Sequence, residues 1–190
     1  MKHSRGFTLI ELIVTMTILA IIVTTAAPSF NRLMRNVEID GGVSKIRSIL
    51  SYARTQAVDL QGDVMVCVSD NGATCSGQTD WSLGVIVFHD EDGSAQFNDD
   101  GDAIPCETGE DCLLRVWEES APQGAQLTAK EREAALESAI SLFAYSEEGD
   151  IGSLEWVRFE MRVLNCGVGD LRTIEVNRIG RVQVMPAGDC

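Results

Sequence analysis

Hydrophobic and polar positions divide the chain into three stretches. Residues 7–27, FTLIELIVTMTILAIIVTTAA, are apolar almost throughout and carry one charge, Glu11. As a helix rising 1.5 Å per residue they would be about 32 Å long, enough to cross the hydrocarbon core of a bilayer. From 28 onward the run gives way to spacings of three and four: Phe30, Leu33, Met34 and Val37, then Ile46, Ile49, Leu50, Ala53, Ala57 and Leu60. That period predicts an amphipathic helix whose apolar stripe packs on a sheet. Pro28 lacks an N–H and is expected to kink or locally melt the helix as it leaves the apolar run. Gly41-Gly42 is expected to allow a bend, and Gly62 to cap the C-terminus.

Beyond Gly62 the pattern shortens. Residues 64–68 are an apolar run of strand length, and 81–89, 112–117, 140–145, 155–164, 171–176 and 181–185 read as further strands. Asn71-Gly72 is a tight-turn signal. Thr128-Ala129-Lys130-Glu131 has the capping-box spacing and predicts a short helix over 128–138. The expected class is α+β: a long N-terminal helix, apolar in its first half and amphipathic in its second, packed on a mainly antiparallel sheet.

Charge changes the picture next. Of 190 residues, 15 are Lys or Arg and 29 are Asp or Glu, for a formal net charge of −14. Such a surface repels phosphate backbones and anionic membranes. The imbalance is local: no Lys or Arg occurs from Thr55 to Leu114, while nine carboxylates fall between Asp90 and Asp111. A solvated acidic loop is the plain reading and a calcium loop the sharper one. Counting back from Gly101 on the EF-hand template, ligand positions fall on Gln96, Asn98, Asp100 and Asp102, with Glu107 twelfth. Gln96 stands where an Asp is required and Asp90-Glu91-Asp92-Gly93 misses the spacing, so no metal is expected.

The six cysteines, Cys67, Cys75, Cys106, Cys112, Cys166 and Cys190, all lie beyond the apolar run. An even number so placed predicts disulfides formed in an oxidising compartment. Short loops suggest Cys67–Cys75 and Cys106–Cys112, which leaves Cys166–Cys190. A zinc knot has no CxxC to build on, and His3 and His89 are the only histidines. His89, ending an apolar strand, reads as structural. No nucleophile motif surrounds a serine and no glycine-rich phosphate loop follows a strand, so neither a catalytic residue nor a cofactor is expected.

Glu11 is the residue that a simple anchor does not explain. A secretory signal has a shorter apolar core followed by a small-residue cleavage site, and here Thr24-Thr25-Ala26-Ala27 runs straight into Pro28. A plain membrane anchor fits the length, but a buried carboxylate there costs about 2.5–3.5 kcal/mol even on lenient insertion scales. The string Gly6-Phe7-Thr8-Leu9-Ile10-Glu11-Leu12, after a leader bearing Lys2, His3 and Arg5, resembles the N-terminus of type IV prepilins and type II secretion pseudopilins. Pro28 stands where that family has its proline.

The resemblance implies three parts: a leader peptide, 1–6; a transmembrane and filament-core helix, 7–27; and a periplasmic globular head, 28–190, including the amphipathic half of the helix. It implies cleavage between Gly6 and Phe7 by a prepilin peptidase, N-methylation of Phe7, and pairing of Glu11 with the terminal amine of a neighbouring subunit. Two charges that are each expensive in hydrocarbon become tolerable together. In the head, Ile49-Leu50-Ser51-Tyr52-Ala53-Arg54-Thr55-Gln56-Ala57, Val64-Met65-Val66-Cys67, Trp81-Ser82-Leu83-Gly84-Val85-Ile86-Val87-Phe88 and Gly180-Arg181-Val182 are similar to the GspH/FimT/FimU branch.

For that branch the resemblance implies a non-catalytic minor pilin that primes type IV pilus assembly near the fibre tip. The implied alternative is a GspH-like minor pseudopilin of a type II secretion system. Implied partners are other minor and major pilins or pseudopilins, the prepilin peptidase and the inner-membrane assembly platform. The implied location is the inner membrane with the head in the periplasm, then the fibre. Some FimT-type relatives take up DNA through a Gly-Arg-x-Arg tail. Here Gly180-Arg181-Val182-Gln183 lacks the second Arg, leaving a weak contact through Arg178 and Arg181, with Arg172 nearby, on a strongly acidic head. Nucleic acid is therefore not the expected partner.

Overall fold

The computed structural model describes residues 8–98, 109–133, 136–163, 167 and 169–190, and for 25–29, 31 and 32 the backbone alone. Helix α1 spans Leu9–Leu60. The chain divides into two compact units, Met1–Glu38 and Ile39–Cys190, and α1 contributes to both.

In the first unit α1 begins with a local cap. Thr8 lies outside the helix, and its Oγ1 accepts the Glu11 N–H at 3.4 Å, which satisfies one of the donors a helix start leaves open. Thr8-Leu9-Ile10-Glu11 thus carries the capping-box spacing, a signal the apolar run around it obscures. The helix continues through Pro28 without the expected local melting: one missing N–H removes one hydrogen bond, and the turns on either side carry on.

The second unit begins with Ile39 and holds the whole described hydrophobic core. Ile39, Val43, Ile46, Ile49, Leu50, Ala53 and Ala57 form a continuous buried stripe on α1. Ile39 and Val43 extend the predicted stripe, whereas Phe30, Leu33, Met34 and Val37 in the first unit, and Leu60 in the second, are exposed. Gly41-Gly42 does not interrupt the helix. A methyl group on Gly42 would come 2.8 Å from the Met161 sulfur and 2.8 Å from Pro122 Cδ, so this glycine serves close packing. At the C-terminus the left-handed residue is Gln61, with φ of 54°. The Gly62 N–H returns to the Ala57 carbonyl at 3.3 Å, the six-to-one bond of a Schellman end. A Cβ on Gly62 would meet the His89 imidazole, so the glycine leaves room for that ring.

Nine strands follow among the described residues: β1 Val64–Val68, β2 Val85–His89, β3 Cys112–Trp117, β4 Ala125–Glu133, β5 Leu136–Ala139, β6 Leu142–Tyr145, β7 Trp156–Val163, β8 Arg172–Asn177 and β9 Val182–Val184. They build two sheets, both antiparallel, in the orders β3-β2-β1-β6 and β5-β4-β7-β8-β9. The helix expected over 128–138 is instead the β4–β5 hairpin. Leu127 and Ala129 are buried and alternate with more exposed neighbours, a period of two that suits a half-buried strand. Pairing of β4 along β7 from Ala125 to Arg132 outweighs a local helix signal. Trp81, inside the strand predicted over 81–89, lies outside the observed β2. It turns inward before β2, its Nε1–H donating to the Ile140 carbonyl at 2.7 Å.

The two sheets are buried differently. β1 is buried at every position, because Val64, Val66 and Val68 join the main core while Met65 and Cys67 face a second cluster with Ile86 and Phe88. That outer cluster is roofed by Phe97, whose ring lies 5.1 Å from that of Phe88, and by the loop carrying Cys75. β7 alternates, with Val157, Phe159 and Met161 inward and Arg158 outward, where Arg158 pairs with Glu175 at 2.8 Å. Trp81 joins the sheets, 5.0 Å from Phe159 and 6.3 Å from Phe143.

Cys67 and Cys75 form a disulfide over a sequence separation of 8, tying the 69–84 connection to the back of β1. Asn71-Gly72 lies inside this connection and does not itself join β1 to β2. The Asn71 Oδ1 accepts the N–H groups of Ala73 and Thr74, each at 2.9 Å. Cys112 and Cys190 are also disulfide-bonded, while Cys106 and Cys166 lie outside the described residues. Replacing Cys67 and Cys75 together by Ala should cost about 2–3 kcal/mol from loop entropy. That corresponds to a fall in melting temperature of roughly 5–10 °C, measurable by circular dichroism; a shift below about 1 °C would show that this bridge does not hold the roof of β1.

Candidate functional site

The first described turns of α1 present an unusual surface. From Leu9 to Val23 the large apolar side chains are exposed on every side, Leu9 by 75% and Ile18 by 52%. A helix apolar all round is built for hydrocarbon or for the inside of a bundle. Its hydroxyls are satisfied within the helix: Thr15 donates to the Leu12 carbonyl at 2.9 Å, Thr17 to Val14 at 2.8 Å, and Thr24 to Ala20 and Ile21 at 3.1 and 2.9 Å. This internal bonding suits a medium without water. The Glu11 carboxylate, in the first turn, has no partner among the described residues. Gly6 and Phe7 lie outside them, as does the Pro28 side chain. No helix among the described residues is long and apolar enough to cross a membrane; the fully described part of the apolar run ends at Thr24, short of the ~20 residues a span needs.

In the head, the acidic segment gathers three carboxylates that the EF-hand template did not select. Ligand-capable oxygens of Asp90, Asp92 and Asp111 lie within 4.8 Å of one another, and every one of these side chains is occupied by the loop itself. Asp90 accepts the N–H groups of Ser94 and Ala95 at 3.1 and 2.9 Å. Asp111 accepts those of Glu91 and Asn98 at 3.0 and 2.9 Å. Asp92 accepts Ser94 N–H at 2.8 Å and the Asn98 side-chain amide at 2.7 Å. Burial raises the Asp111 pKa, whereas bonds from Ser94 lower that of Asp92. The cluster folds the loop over Phe88. Asn98 is thereby committed to Asp92, and Asp100, Asp102 and Glu107 lie outside the described residues.

His89 is half-buried at the end of β2, its Nδ1 3.5 Å from Glu91, and it packs over Gly62 at the end of α1. This is the structural placement expected of it.

The basic residues of the tail separate into different neighbourhoods. Arg172 donates to Asp40 at 3.0 Å and to the Gly169 carbonyl at 2.6 Å, so it is engaged away from Arg181. Arg178 and Arg181 are exposed on the β8–β9 turn. Beneath that turn lies Arg54, whose place in the run Ile49–Ala57 gives no local sign of its role. Its Nε donates to the Gly149 carbonyl at 2.8 Å and its Nη2 to that of Ile179 at 2.9 Å. Gly180, with φ of +74°, passes so close to the Gly149 carbonyl that any side chain would collide with it. Arg54 thus clamps the β6–β7 and β8–β9 turns onto α1, beside the buried Tyr145, whose burial pushes its phenol pKa well above the usual value.

An α1 carrying a methylation-type N-terminus and packed on antiparallel sheets defines the pilin-like class of subunits. The N-terminal residues 1–27 match the prokaryotic N-terminal methylation motif. Residues 43–180 match the family described as type II transport protein GspH, and the chain belongs to that family. Among solved structures, the type IV minor pilin FimU of Pseudomonas aeruginosa shares 18% identity, with a TM-score of 0.51 over 82% of this chain and 93% of that one. A second crystal form of FimU gives 14% identity and a TM-score of 0.48 over 78% and 93%. The minor pseudopilin EpsH from the type 2 secretion system of Vibrio cholerae gives 10% and 0.47 over 80% and 99%. At these identities the first of these likenesses speaks for the fold alone, and no curated protein matches.

Two outcomes follow from the contacts of these turns, the first from the Arg54 clamp. Arg54→Met should cost about 2–4 kcal/mol, since two charge-assisted bonds to carbonyls are lost. Amide exchange should accelerate at 149–152 and 177–181 ahead of the strands; uniform acceleration would refute a local clamp. The second concerns Asp150, whose pKa is lowered by the Gly152 N–H at 2.9 Å and the Ser146 hydroxyl at 2.7 Å. A folded pKa below the unfolded value of ~3.9 gives stabilisation that is present above pH 4 and lost as pH falls through the folded pKa. Asp150→Ala should therefore lower stability by about 1–2 kcal/mol at pH 7 and much less near pH 2, as read from urea melts at both pH values.

Proposed function

We propose that this protein is a FimT/FimU-type minor pilin that takes part in priming and assembling a type IV pilus, with a structural and not a catalytic role. One observation carries the reading: α1 opens with apolar side chains on every face, Thr15, Thr17 and Thr24 bonded internally, and a single carboxylate, Glu11, that has no partner among the described residues. Such a helix is suited to leaving lipid for a bundle of similar helices, where a cationic amine from the next subunit can meet Glu11. Membership of the GspH family and the methylation motif support the same reading.

In this proposal a prepilin peptidase cuts between Gly6 and Phe7 and methylates the new terminus. Residues 7–27 hold the chain in the inner membrane before assembly and form fibre core afterwards. Pro28 marks the exit from that segment, and the head contacts other pilins and the assembly platform from the periplasmic side. The description of the family as a type II transport protein is equally compatible with a second reading, a minor pseudopilin in a secretion system, which uses the same residues in the same roles.

Glu11→Ala should leave processing at Gly6 intact while reducing incorporation into sheared fibres by an order of magnitude or more, the loss of a charge pair in a low-dielectric bundle being worth about 1.5–3 kcal/mol or above. Mass spectrometry of the mature N-terminus and immunoblots of fibre fractions provide the two measurements. Normal incorporation of the processed variant would remove the basis for the pairing.

A further inference from the structure

Next to the Arg54 clamp, α1 and the β8–β9 turn enclose an open concavity of about 210 Å³. Its helix side is Arg47, Ser51, Arg54 and Thr55, and its other wall is the backbone of the turn with Arg181. Positions 47, 51, 54 and 55 recur at helical spacing on the side of α1 away from the buried stripe. No carboxylate lines the concavity. That is unusual on a chain with 29 acidic side chains against 15 basic ones.

Five other arginines of the head already have their charge answered. Arg132, Arg158, Arg162 and Arg172 each pair with an Asp or Glu, and Arg115 lies over the rings of Tyr52 and Trp117. Arg47, Arg54 and Arg181 have no carboxylate partner among the described residues. Arg54 is held rigid by two backbone carbonyls, which spend two of its five N–H donors and leave the rest free. The turn that brings Arg181 up to the helix is itself fixed, since Arg181 N–H donates to the Asn177 side chain at 2.9 Å and Gly180 N–H to the Asn177 carbonyl at 2.8 Å.

We infer that this concavity is a docking site for a carboxylate side chain presented by an acidic segment of a neighbouring protein subunit. Arg47, Arg54 and Arg181 all line it together with Ser51, and a guanidinium fork matches a carboxylate by bidentate hydrogen bonding. The volume admits a single anionic group. A nucleic-acid strand would have to lay many phosphates across a head whose net charge repels them, and its affinity comes from many such contacts; one inserted carboxylate needs only the pocket. That the carboxylate belongs to a fibre subunit rests on the proposed function above, while the pocket's preference for carboxylates does not.

The test uses the full chain in zwitterionic detergent and reads fluorescence anisotropy of a labelled tetraglutamate peptide, a tetraglutamine control and a twelve-residue oligothymidylate. The glutamate peptide should bind saturably at low salt, with the glutamine control silent. Arg47→Gln and Arg181→Gln should each weaken binding about tenfold, one charge-assisted contact being lost. Arg178→Gln, on the same turn but outside the concavity, should change it less than about twofold. Circular dichroism melts confirm that the variants are folded, and Arg54 is left intact because it holds the turns together. Absence of saturable peptide binding, or equal binding by the Arg47 and Arg181 variants, would overturn the site. So would tighter binding of the oligothymidylate lost in the same two variants, which would assign the concavity to nucleic acid. A failed Glu11 experiment would leave all of these readings unaffected.

Discussion

The head depends on one constraint: the stripe from Ile39 to Ala57 on α1 must be covered by two sheets at once. Neither sheet offers a complete core by itself. The first contributes Val64, Val66, Val68, Val85 and Val87, and the second Leu127, Val157, Phe159, Met161, Ile174 and Val176; all belong to one buried cluster with the helix. Burying a side chain of this size is worth roughly 1.5–3 kcal/mol, and the helix stripe is where the contributions of the two sheets meet. The consequences are visible around it. Gly42 lets Met161 and Pro122 reach the helix backbone, Gly62 makes room for His89, and Trp81 fills the seam between the sheets.

The outer surface of α1 within the head serves a different purpose from its inner stripe. Arg54 reaches over to two turns that are far apart in sequence and sets their height above the helix. Gly180 can approach Gly149 only because it has no side chain. Through this contact the tail of the chain is positioned by the helix, and Arg181 arrives beside Arg47 and not beside Arg172, which Asp40 holds elsewhere. The basic residues of the tail therefore form no single patch. The acidic segment is equally self-occupied: Asp90, Asp92 and Asp111 use their oxygens on backbone amides, which orders the loop that roofs the outer face of β1.

Much of this was legible along the chain. The period of the stripe, the all-apolar β1 and the even cysteines beyond the apolar run each have a local cause, and the Cys67–Cys75 pair follows from its short loop. Two identical spacings show the limit. Thr8-x-x-Glu11 and Thr128-x-x-Glu131 both satisfy the capping-box pattern. The first starts a helix, since Thr8 receives the Glu11 N–H and nothing competes for the backbone. The second lies in a strand, because β7 offers its backbone a full ladder and the core claims Leu127 and Ala129. Gly62 likewise looked like a cap, yet Gln61 takes the left-handed conformation and Gly62 yields space to a histidine nearly thirty residues away.

Local pattern alone determined the long helix, its change from apolar to amphipathic, the strand-rich second half, and the anomaly of Glu11 in an apolar run. These rest on side-chain periodicity and on the energetic penalty of a lone charge in hydrocarbon, both properties of neighbours in sequence. Tertiary structure decided that the strands form two sheets, that residues 125–139 form a hairpin, that Arg54 clamps the turns, and that Arg47 and Arg181 share one concavity. Those outcomes depend on contacts between residues far apart in sequence, such as the bond from Arg54 to the Ile179 carbonyl, 125 positions away. Only a shared core with limited volume can select among the local preferences that would each have been satisfied separately.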